Sequence, residues 1–286
     1  MTAANKCIHC RGRVLEPGRV PLFMGVVNIT PDSFSDGGQF FSPERAVEHA
    51  LRLLDEGTDI LDLGGESTRP GSSPVPPEEE IRRIIPVVKE LRRRVPGCLI
   101  SIDTRHSATA RATLEAGADI INDISGLQDP DMAATAAEFD AGLVLMHMRG
   151  TPADMQSPAN LFYGDVVREV CDFLARQVQT ALDNRVKLAN ILIDPGIGFS
   201  KDLAGNRLLL TQIGRFRELG LPLLVGPCRK RFIGEVLGID NPAERVFGTA
   251  GVAAWLAHCG VEVLRVHDVR SIREAVTMFL WCRDEH

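Results

Sequence analysis

Polar side chains stand at the ends of several short apolar segments of this 286-residue sequence. Asp103, Asn122 and Asp194 each end, or nearly end, such a segment. Carboxylates accept hydrogen bonds, and a side-chain amide both donates and accepts them. Held at fixed angles in one place, these three groups suit the edge of a planar nitrogen heterocycle that carries amino and ring N–H groups.

A second set of polar residues has a different chemistry. Asn28 follows the apolar segment Leu22–Val27, and Arg265 and His267 lie in the segment Glu262–His267. An amide, a guanidinium and an imidazole together can bind a phosphate or a pyrophosphate. The two sets therefore predict a ligand with a heterocyclic part and a phosphate part, each held by its own half of the site.

Each of these residues also has a purely structural interpretation. Asp and Asn are common after strands, where they form turns or cap helices. For any one residue this explanation is as good as a functional one, and only the whole set favours function. His147 lies between Met146 and Met148, and here we favour a buried histidine with satisfied hydrogen bonds over a catalytic one.

The segments that carry these residues predict the fold. Eight short apolar segments alternate with helical patterns, and no linker divides them. This count predicts a single-domain α/β protein, a (β/α)₈ TIM barrel over residues 22–286, rather than an open doubly wound sheet. In such a barrel the carboxyl ends of the strands meet at one mouth. The predicted strands are Leu22–Val27, Asp59–Leu63, Leu99–Asp103, Asp119–Asp123, Leu143–His147, Ile191–Asp194, Pro222–Val225 and Glu262–His267.

Several predictions concern the segments between the strands. Ser42 is predicted to cap a helix that begins at Pro43. Pro86 should kink the second helix or mark its restart. Residues 205–219 are predicted as one helix, as are residues 242–258. Residues 1–21, a lead-in segment, are expected to be extended or to form a short hairpin over one end of the fold.

Composition and charge exclude some functions. The sequence is 44% hydrophobic and 24% charged, which is typical of a soluble globular protein. A net charge of −6 argues against nucleic-acid binding through a basic surface. The run Arg92–Arg94 ends a helical pattern and is predicted to be a solvated face. No apolar run is long enough to cross a membrane, so no membrane partner is expected.

The cysteines and the N-terminus bear on location. The first residues contain no apolar stretch of the kind found in signal peptides, and we expect a cytoplasmic protein with seven reduced cysteines. Cys7 and Cys10 have a spacing suited to a metal, but no second pair follows at zinc-finger distance. Thiols without a metal are the favoured interpretation.

Eight motifs, in order and spread over residues 22–280, carry a resemblance to a known family. The sequence resembles dihydropteroate synthase, and the first two motifs together are highly specific. The motifs are Met24–Gly38, Asp62–Gly71, Ser101–Thr104, Ile121–Ile124, Leu145–Met148, Asp194–Phe199, Arg229–Lys230 and Arg265–Asp268.

The resemblance implies a function and roles for residues. Members of this family join 6-hydroxymethyl-7,8-dihydropterin diphosphate to 4-aminobenzoate and release diphosphate, a step of folate synthesis. The catalytic residues implied are Asp103, Asp194, Lys230 and Arg265. The pterin is expected to bind Asp103, Asn122, Asp194 and Lys230. The diphosphate is expected to bind Asn28, Arg265 and His267, with Mg²⁺ bridging it to Asn28. The 4-aminobenzoate pocket is expected to include Thr68, Arg69, Pro70, Phe199, Cys228, Arg229 and Lys230.

One position departs from the family pattern. Where the family has serine before Arg229 and Lys230, this sequence has Cys228. A thiol is a weak hydrogen-bond donor, so its contact with the aminobenzoate carboxylate should be poorer. The neighbouring cations are also expected to lower the pKa of the thiol. The alternative is that Cys228 only fills the space of a serine.

Two other functions remain open from the sequence. One is another pterin-binding barrel, such as a methyltetrahydrofolate-dependent methyltransferase, which would not need the loop Ser67–Pro70. The other is a non-catalytic relative of the synthase, which would be expected to have lost loop residues that are present here. The family resemblance also implies a homodimer. Val276, Phe279 and Leu280 could form its interface or could pack on the barrel.

Overall fold

Eight parallel strands form the centre of the structure, a computed structural model that describes residues 6–30, 42–69 and 71–283. A short antiparallel hairpin precedes them. The hairpin strands are β1 (Ile8–Cys10) and β2 (Arg13–Leu15). The parallel strands are β3 (Leu22–Asn28), β4 (Ile60–Gly64), β5 (Leu99–Asp103), β6 (Ile120–Asp123), β7 (Gly142–Met146), β8 (Ile191–Asp194), β9 (Leu224–Val225) and β10 (Val263–Val266).

Helices connect the strands and pack outside them. Among the described residues, three short 3₁₀ segments lie in the connections: Leu188–Asn190, Ile213–Leu219 and Pro242–Glu244. The α-helices are α1 (Pro43–Asp55), α2 (Pro77–Arg94), α3 (Ser107–Glu115), α4 (Met132–Glu138), α5 (Pro158–Leu161), α6 (Val166–Asp183), α7 (Leu203–Thr211), α8 (Arg231–Leu237), α9 (Val246–His258) and α10 (Val269–Arg283).

The sheet closes on itself. The first barrel strand, β3, pairs with β4 on one side and with the last strand, β10, on the other. Strand β9 pairs with β10, and a parallel bridge between Ile193 and Leu223 joins the two remaining edges. The predicted (β/α)₈ barrel is therefore confirmed. Closure matters for the site because it brings the ends of β3 and β10 together.

The hairpin covers the amino end of the barrel. Ile8, Cys10 and Leu15 are buried against the first residues of the strands, among them Met24 and Ile60. Of the two structures expected for the lead-in, the described residues thus form the hairpin. Sealing this end removes apolar side chains from water and leaves the opposite end as the open one.

Several local predictions need correction. Pro86 lies inside a continuous α2, so the predicted restart there is wrong. The predicted helix 205–219 is divided into α7 and a 3₁₀ segment, with Gly214 in the latter. The helical stretch 242–258 is likewise divided at Arg245. The sequence patterns missed α4, which is rich in small residues, and α8, which has Gly234 in its middle.

The run Arg92–Arg94 is not a uniformly solvated face. Arg93 and Arg94 pair with Glu90 on the surface, as expected. Arg92 instead forms an ion pair with Asp119 and donates to the carbonyl of Cys98 (2.6 Å), where its side chain is only 18% exposed. It therefore ties the end of α2 to the starts of β5 and β6.

The described helices include none that could span a membrane, since none is both long and apolar enough.

Candidate active site at the carboxyl ends of the strands

The structure brings the predicted site residues to one end of the barrel. Each lies at the carboxyl end of a strand or in the loop that follows it, and only Pro70 falls outside the described residues. On strands or directly after them lie Asn28 (β3), Asp103 (β5), Asn122 (β6), Asp194 (β8), and Arg265 and His267 (β10). In loops lie Thr68 and Arg69 (after β4), Phe199 (after β8), and Cys228, Arg229 and Lys230 (after β9).

A buried ion network joins four strands at the mouth. The Arg265 guanidinium donates from Nε to Asp62 Oδ2 (2.6 Å) and from Nη2 to Asp103 Oδ2 (2.6 Å). Asn122 Nδ2 also donates to Asp62 Oδ2 (3.2 Å). Each carboxylate keeps its other oxygen buried without a hydrogen-bond partner among the described residues. These two oxygens are acceptors that a ligand with N–H groups can use.

This network corrects the predicted division of the mouth. We expected Arg265 to belong to the phosphate half, apart from the acids that face the heterocycle. Because its guanidinium contacts Asp103 directly, Arg265 lies between the two halves and belongs to both. A ligand that binds Asp103 must therefore also affect Arg265.

Burial and charge set the protonation of this network. Burial raises the pKa of Asp103 to about 7, and the charge of Arg265 opposes that rise. Burial lowers the pKa of Arg265, but Asp62 and Asp103 more than offset it and hold that pKa above its ordinary value. The guanidinium is therefore charged at any physiological pH. Asp103 can accept a hydrogen bond or hold a proton near neutrality.

Asp194 and Lys230 form the next part of the site. Burial raises the pKa of Asp194 to about 6, while the backbone N–H of Gly196 (2.7 Å from Oδ1) and the charge of Lys230 oppose the rise. The Lys230 ammonium lies 3.7 Å from the ring centroid of Phe199, a cation–π contact. Gly198, at φ +82°, permits it, since a Cβ there would come within 2.7 Å of the Lys230 side chain. Burial lowers the pKa of Lys230 to about 8.

His267 lies beside this region as a neutral ring. Burial and the nearby charge of Arg265 lower its pKa to about 3. Its Nδ1 atom is buried and has no hydrogen-bond partner among the described residues. A neutral imidazole can offer one N–H to an anion but adds no charge to the site.

Cys228 does not have the environment that the sequence suggested. Its sulfur accepts a hydrogen bond from the backbone N–H of His267 (3.2 Å) and lies 3.9 Å from Asp268 Oδ2. Arg229 forms a two-point ion pair with the same Asp268, with distances of 3.0 and 2.6 Å. Burial raises the pKa of the thiol, so the predicted lowering by neighbouring cations is wrong. The thiol is 8% exposed and is not an activated nucleophile.

The loop after β4 is fixed at its base. Glu66 is buried, pairs with Arg105 through both carboxylate oxygens (3.2 Å each) and accepts from the backbone of Val75 (3.3 Å). Thr68 is partly exposed and Arg69 is exposed beyond this anchor. Arg69 is close enough to His267 for its charge to lower the pKa of that imidazole. The loop thus has a rigid base and offers a cation at the mouth.

Asn28 offers an oxygen ligand where a Mg²⁺ ion is expected. Its side chain is partly exposed and makes no hydrogen bond to another described residue. Among the described residues there is no cluster of three or more His, Cys, Asp or Glu that could hold a metal. Mg²⁺ often binds through one or two protein oxygens, substrate phosphates and water. A single amide oxygen at the rim fits that pattern when the substrate supplies the phosphates.

Sequence reasoning assigned no role to two residues of this region. Asp62 lies near the end of an apolar segment, which is a visible signal, but its pairing with Arg265 was not predicted. Lys201 gave no signal, since a lysine in a loop is ordinarily solvated, yet here it is 3% exposed. Both are buried charges, and a sequence pattern does not show which lysine in a loop will be buried.

Comparison with known proteins decides the family. The family described as pterin binding enzyme matches residues 24–267. A dihydropteroate synthase from Synechocystis sp. is 43% identical over 258 residues, which are 90% of this chain and 88% of that protein. The chain belongs to the dihydropteroate synthase family of pterin-binding enzymes. The resemblance noted from the motifs is therefore confirmed.

Solved structures of dihydropteroate synthases agree with this fold. One from Xanthomonas albilineans, with 4-aminobenzoic acid, has a TM-score of 0.91 and 42% identity, and the match covers 99% of this chain and 100% of that one. A structure of the same enzyme in complex with 7,8-dihydropteroate has a TM-score of 0.87 and 40% identity, covering 98% of this chain and 100% of the other. The barrel and its order of elements are thus those of the dihydropteroate synthase family.

Proposed function

We propose that this protein is a dihydropteroate synthase, a transferase of folate biosynthesis. It condenses 6-hydroxymethyl-7,8-dihydropterin diphosphate with 4-aminobenzoate to give 7,8-dihydropteroate and diphosphate. The observation that carries the proposal is the mouth network. There Asp103 and Asn122 lie beside the charged Arg265, and Asp194 and Lys230 complete the rim. Relatives that contain 4-aminobenzoic acid or 7,8-dihydropteroate support the choice of substrates.

The pterin is held by acceptors in a dry pocket. Asp103 and Asp194 accept from the amino and ring N–H groups of the heterocycle, and Asn122 fixes its orientation. Each carboxylate is at most 5% exposed, so water competes little for these hydrogen bonds. Lys230 supplies a donor to the ring acceptors, and its ammonium already lies over the ring of Phe199.

The reaction is a substitution at the methylene carbon of the pterin. The C–O bond to diphosphate breaks, and diphosphate leaves with the electron pair. The amine of 4-aminobenzoate forms the new C–N bond and loses a proton to solvent or to a neighbouring acceptor. Positive charge develops on the pterin at the transition state, and the carboxylates of Asp103 and Asp194 stabilise it. Arg265 and the N–H of His267 stabilise the negative charge on the leaving group. No protein nucleophile is needed.

The 4-aminobenzoate lies against Phe199 in this proposal. Thr68 and Arg69 of the loop after β4 cover it, with Lys230 and the loop after β9 at its other side. Arg229 acts through its ion pair with Asp268, which ties the loop after β9 to the residues that follow β10. Covering the pocket excludes water that would otherwise capture the pterin methylene.

We also propose that the enzyme uses Mg²⁺, held by Asn28 and the diphosphate. Bound there, the ion would neutralise charge on the leaving diphosphate. The support is the partly exposed amide of Asn28, which has no side-chain partner among the described residues. Product formation should stop in EDTA and resume when Mg²⁺ is added in excess. Full activity in EDTA would contradict this part of the proposal.

The test of the function is direct. The protein is incubated with the pterin diphosphate, 4-aminobenzoate and Mg²⁺, and 7,8-dihydropteroate is measured by chromatography. Lys230→Met should lose nearly all activity, whereas Lys89→Met, an exposed lysine on α2, should keep it. Absence of product from the unaltered protein, under conditions in which a known synthase is active, would defeat the proposal.

We also propose a homodimer and a cytoplasmic location. A homodimer would cover apolar side chains on the last helices, where Phe247 is 86% and Trp281 is 57% exposed. Val276 and Leu280 are buried in the barrel packing instead, and only Phe279 of the predicted stripe is exposed. Light scattering on the protein and on Phe247→Glu would test the dimer.

The seven free cysteines agree with a cytoplasmic location, where thiols stay reduced.

A further inference from the structure

A fully enclosed lysine lies behind the proposed pterin site. Lys201 is 3% exposed, and its Nζ atom donates to His147 Nδ1 (2.9 Å), to the His147 carbonyl (3.0 Å) and to the Gly196 carbonyl (2.9 Å). An ammonium group has three N–H donors and no acceptor. Burial lowers the pKa of Lys201 well below its ordinary value, and the charge of Asp194 opposes that fall. The three acceptors around Nζ match the three N–H donors of the charged form.

The same contacts fix the histidine. In its charged form Lys201 can only donate, and His147 Nδ1 then accepts while the ring proton lies on Nε2. The ring stands edge-on to Phe173, with 4.8 Å between the centroids. Burial, and then the charge of Lys201, lower the pKa of His147 to about 2, so the ring stays neutral. His147 is thus the buried histidine with satisfied hydrogen bonds that its neighbours suggested.

Lys201 also controls the turn that presents Asp194. The His147 backbone N–H donates to the Asp194 carbonyl (3.0 Å), and Gly196 donates to the Asp194 side chain (2.7 Å). Gly196 has φ +68°, and a Cβ there would come within 2.0 Å of the His147 carbonyl oxygen. The two carbonyl groups that Lys201 binds belong to His147 and Gly196. These are the same residues whose backbone N–H groups donate to Asp194.

The structure assigns Lys201 a positioning role: with His147, we infer, it holds the Asp194 turn in place and supplies a buried positive charge that favours the Asp194 carboxylate for pterin binding. The inference rests on the proposed function of Asp194. Lys201 does not itself contact a ligand at the mouth, because its three N–H groups bond to His147 and Gly196. The sequence resemblance gave this lysine no role.

The first test compares Lys201→Met with Lys89→Met, in which an exposed lysine is changed in the same way. Affinity for 6-hydroxymethylpterin is measured by calorimetry, which does not depend on turnover. Losing a charged hydrogen-bond partner should weaken binding by roughly 10- to 100-fold in Lys201→Met, and Lys89→Met should match the unaltered protein. At saturating pterin diphosphate, the KM for 4-aminobenzoate should change by less than about twofold.

A pH profile separates positioning from general stability. The charged groups that face Asp194 are Lys230, Lys201 and Arg265, with Asp103 reached through Arg265. Loss of the Lys201 charge should raise the pKa of Asp194 above its value of about 6. The acid limb of pterin affinity should then move to higher pH in Lys201→Met. A residue needed only for stability would leave the midpoint of that limb unchanged.

His147→Leu is a second variant, for the case in which Lys201→Met does not fold. It removes one acceptor and keeps the ammonium, so pterin affinity should fall in the same direction but less. Unchanged pterin affinity and an unchanged acid limb in a folded Lys201→Met would overturn the inference, as would unchanged affinity in His147→Leu if the lysine variant does not fold. Failure of the unaltered protein to form dihydropteroate would instead defeat the proposed function.

Discussion

Replacing Arg265 by alanine should destabilise the fold as well as the site. The substitution leaves the carboxylates of Asp62 and Asp103, which are 0% and 5% exposed, without the guanidinium that bonds each at 2.6 Å. Removing one partner of a buried ion pair costs about 3–5 kcal/mol, because an uncompensated charge remains. In a chain of this length that corresponds to a fall in Tm on the order of 10 °C.

The pKa of Asp103 determines how the loss of stability in Arg265→Ala changes with pH. Arg265 opposes the burial that raises the pKa of Asp103, so in Arg265→Ala that pKa should rise above about 7. The folded variant then binds more protons than the unfolded chain between the ordinary carboxyl pKa, about 4, and the raised one. Its stability therefore falls as pH rises through that window. The unaltered protein shares this fall up to its own Asp103 pKa of about 7, so the deficit relative to it should change little below about pH 6 and should grow as pH rises above about 7.

The assay is denaturant unfolding at several pH values, with free pterin binding measured on the folded variant. Arg93→Ala, which removes an exposed partner of Glu90, is the matched control and should unfold like the unaltered protein. Because Arg265 contacts Asp103, the Arg265 variant should also bind free pterin more weakly. A stability deficit that does not depend on pH, or no deficit, would refute the assignment of a buried network.

Three other predictions follow from the site. Asp194→Ala should weaken free pterin by roughly 1.5–3 kcal/mol, the cost of a lost charged hydrogen bond, as measured by calorimetry; equal affinity would remove Asp194 from the pterin pocket. Calorimetry should show 4-aminobenzoate binding only when the pterin diphosphate, or pterin with diphosphate, is already present, and tight binding to the protein alone would contradict the proposed pocket. Iodoacetamide should label the exposed Cys7 and Cys282 before the buried Cys228, and peptide mass spectrometry that finds Cys228 labelled first would show its thiol to be activated.

The strand ends could be predicted because they depend on local pattern. Short apolar segments of about five residues, each followed by a turn and a helical period, specify where each strand stops. Asp103, Asn122 and Asp194 were found in this way, and all three lie at the mouth. Once the strands are parallel and closed into a barrel, their ends must meet. No information about side-chain direction is needed for that step.

The pairing of charges could not be predicted in the same way. Arg265 and Asp62 lie 203 positions apart in the sequence, and their contact depends on the closure of β3 against β10. The sequence shows two acids and a base near strand ends but not which of them touch. This is why Arg265 was expected in the phosphate half alone. The burial of Lys201 was missed for the same reason, since its partner His147 is 54 positions away.

Cys228 shows how sequence neighbours can mislead. Arg229 and Lys230 follow it directly, which suggested a lowered thiol pKa. In the structure the Arg229 guanidinium turns to Asp268, and the Lys230 ammonium lies over the ring of Phe199. The charge of Arg229 still acts to lower the pKa of the thiol, but burial outweighs it and raises that pKa. Adjacency in sequence therefore does not give the sign of a pKa shift, because it shows neither the burial of the thiol nor the nearby Asp268 carboxylate.

The charge balance of the mouth bears on how a diphosphate could bind there at all. The Arg265 guanidinium is already offset by two carboxylates, and His267 is neutral, so the residues first expected to hold diphosphate bring little net positive charge. A strongly anionic group must then draw on other cations. Arg69 is exposed, and its charge is near enough to His267 to lower the pKa of that imidazole. A divalent ion at Asn28 would supply the remaining positive charge. This need for charge is the physical reason to expect that activity depends on Mg²⁺. It is also the reason to expect that the loop after β4 contributes to binding only when the diphosphate is present.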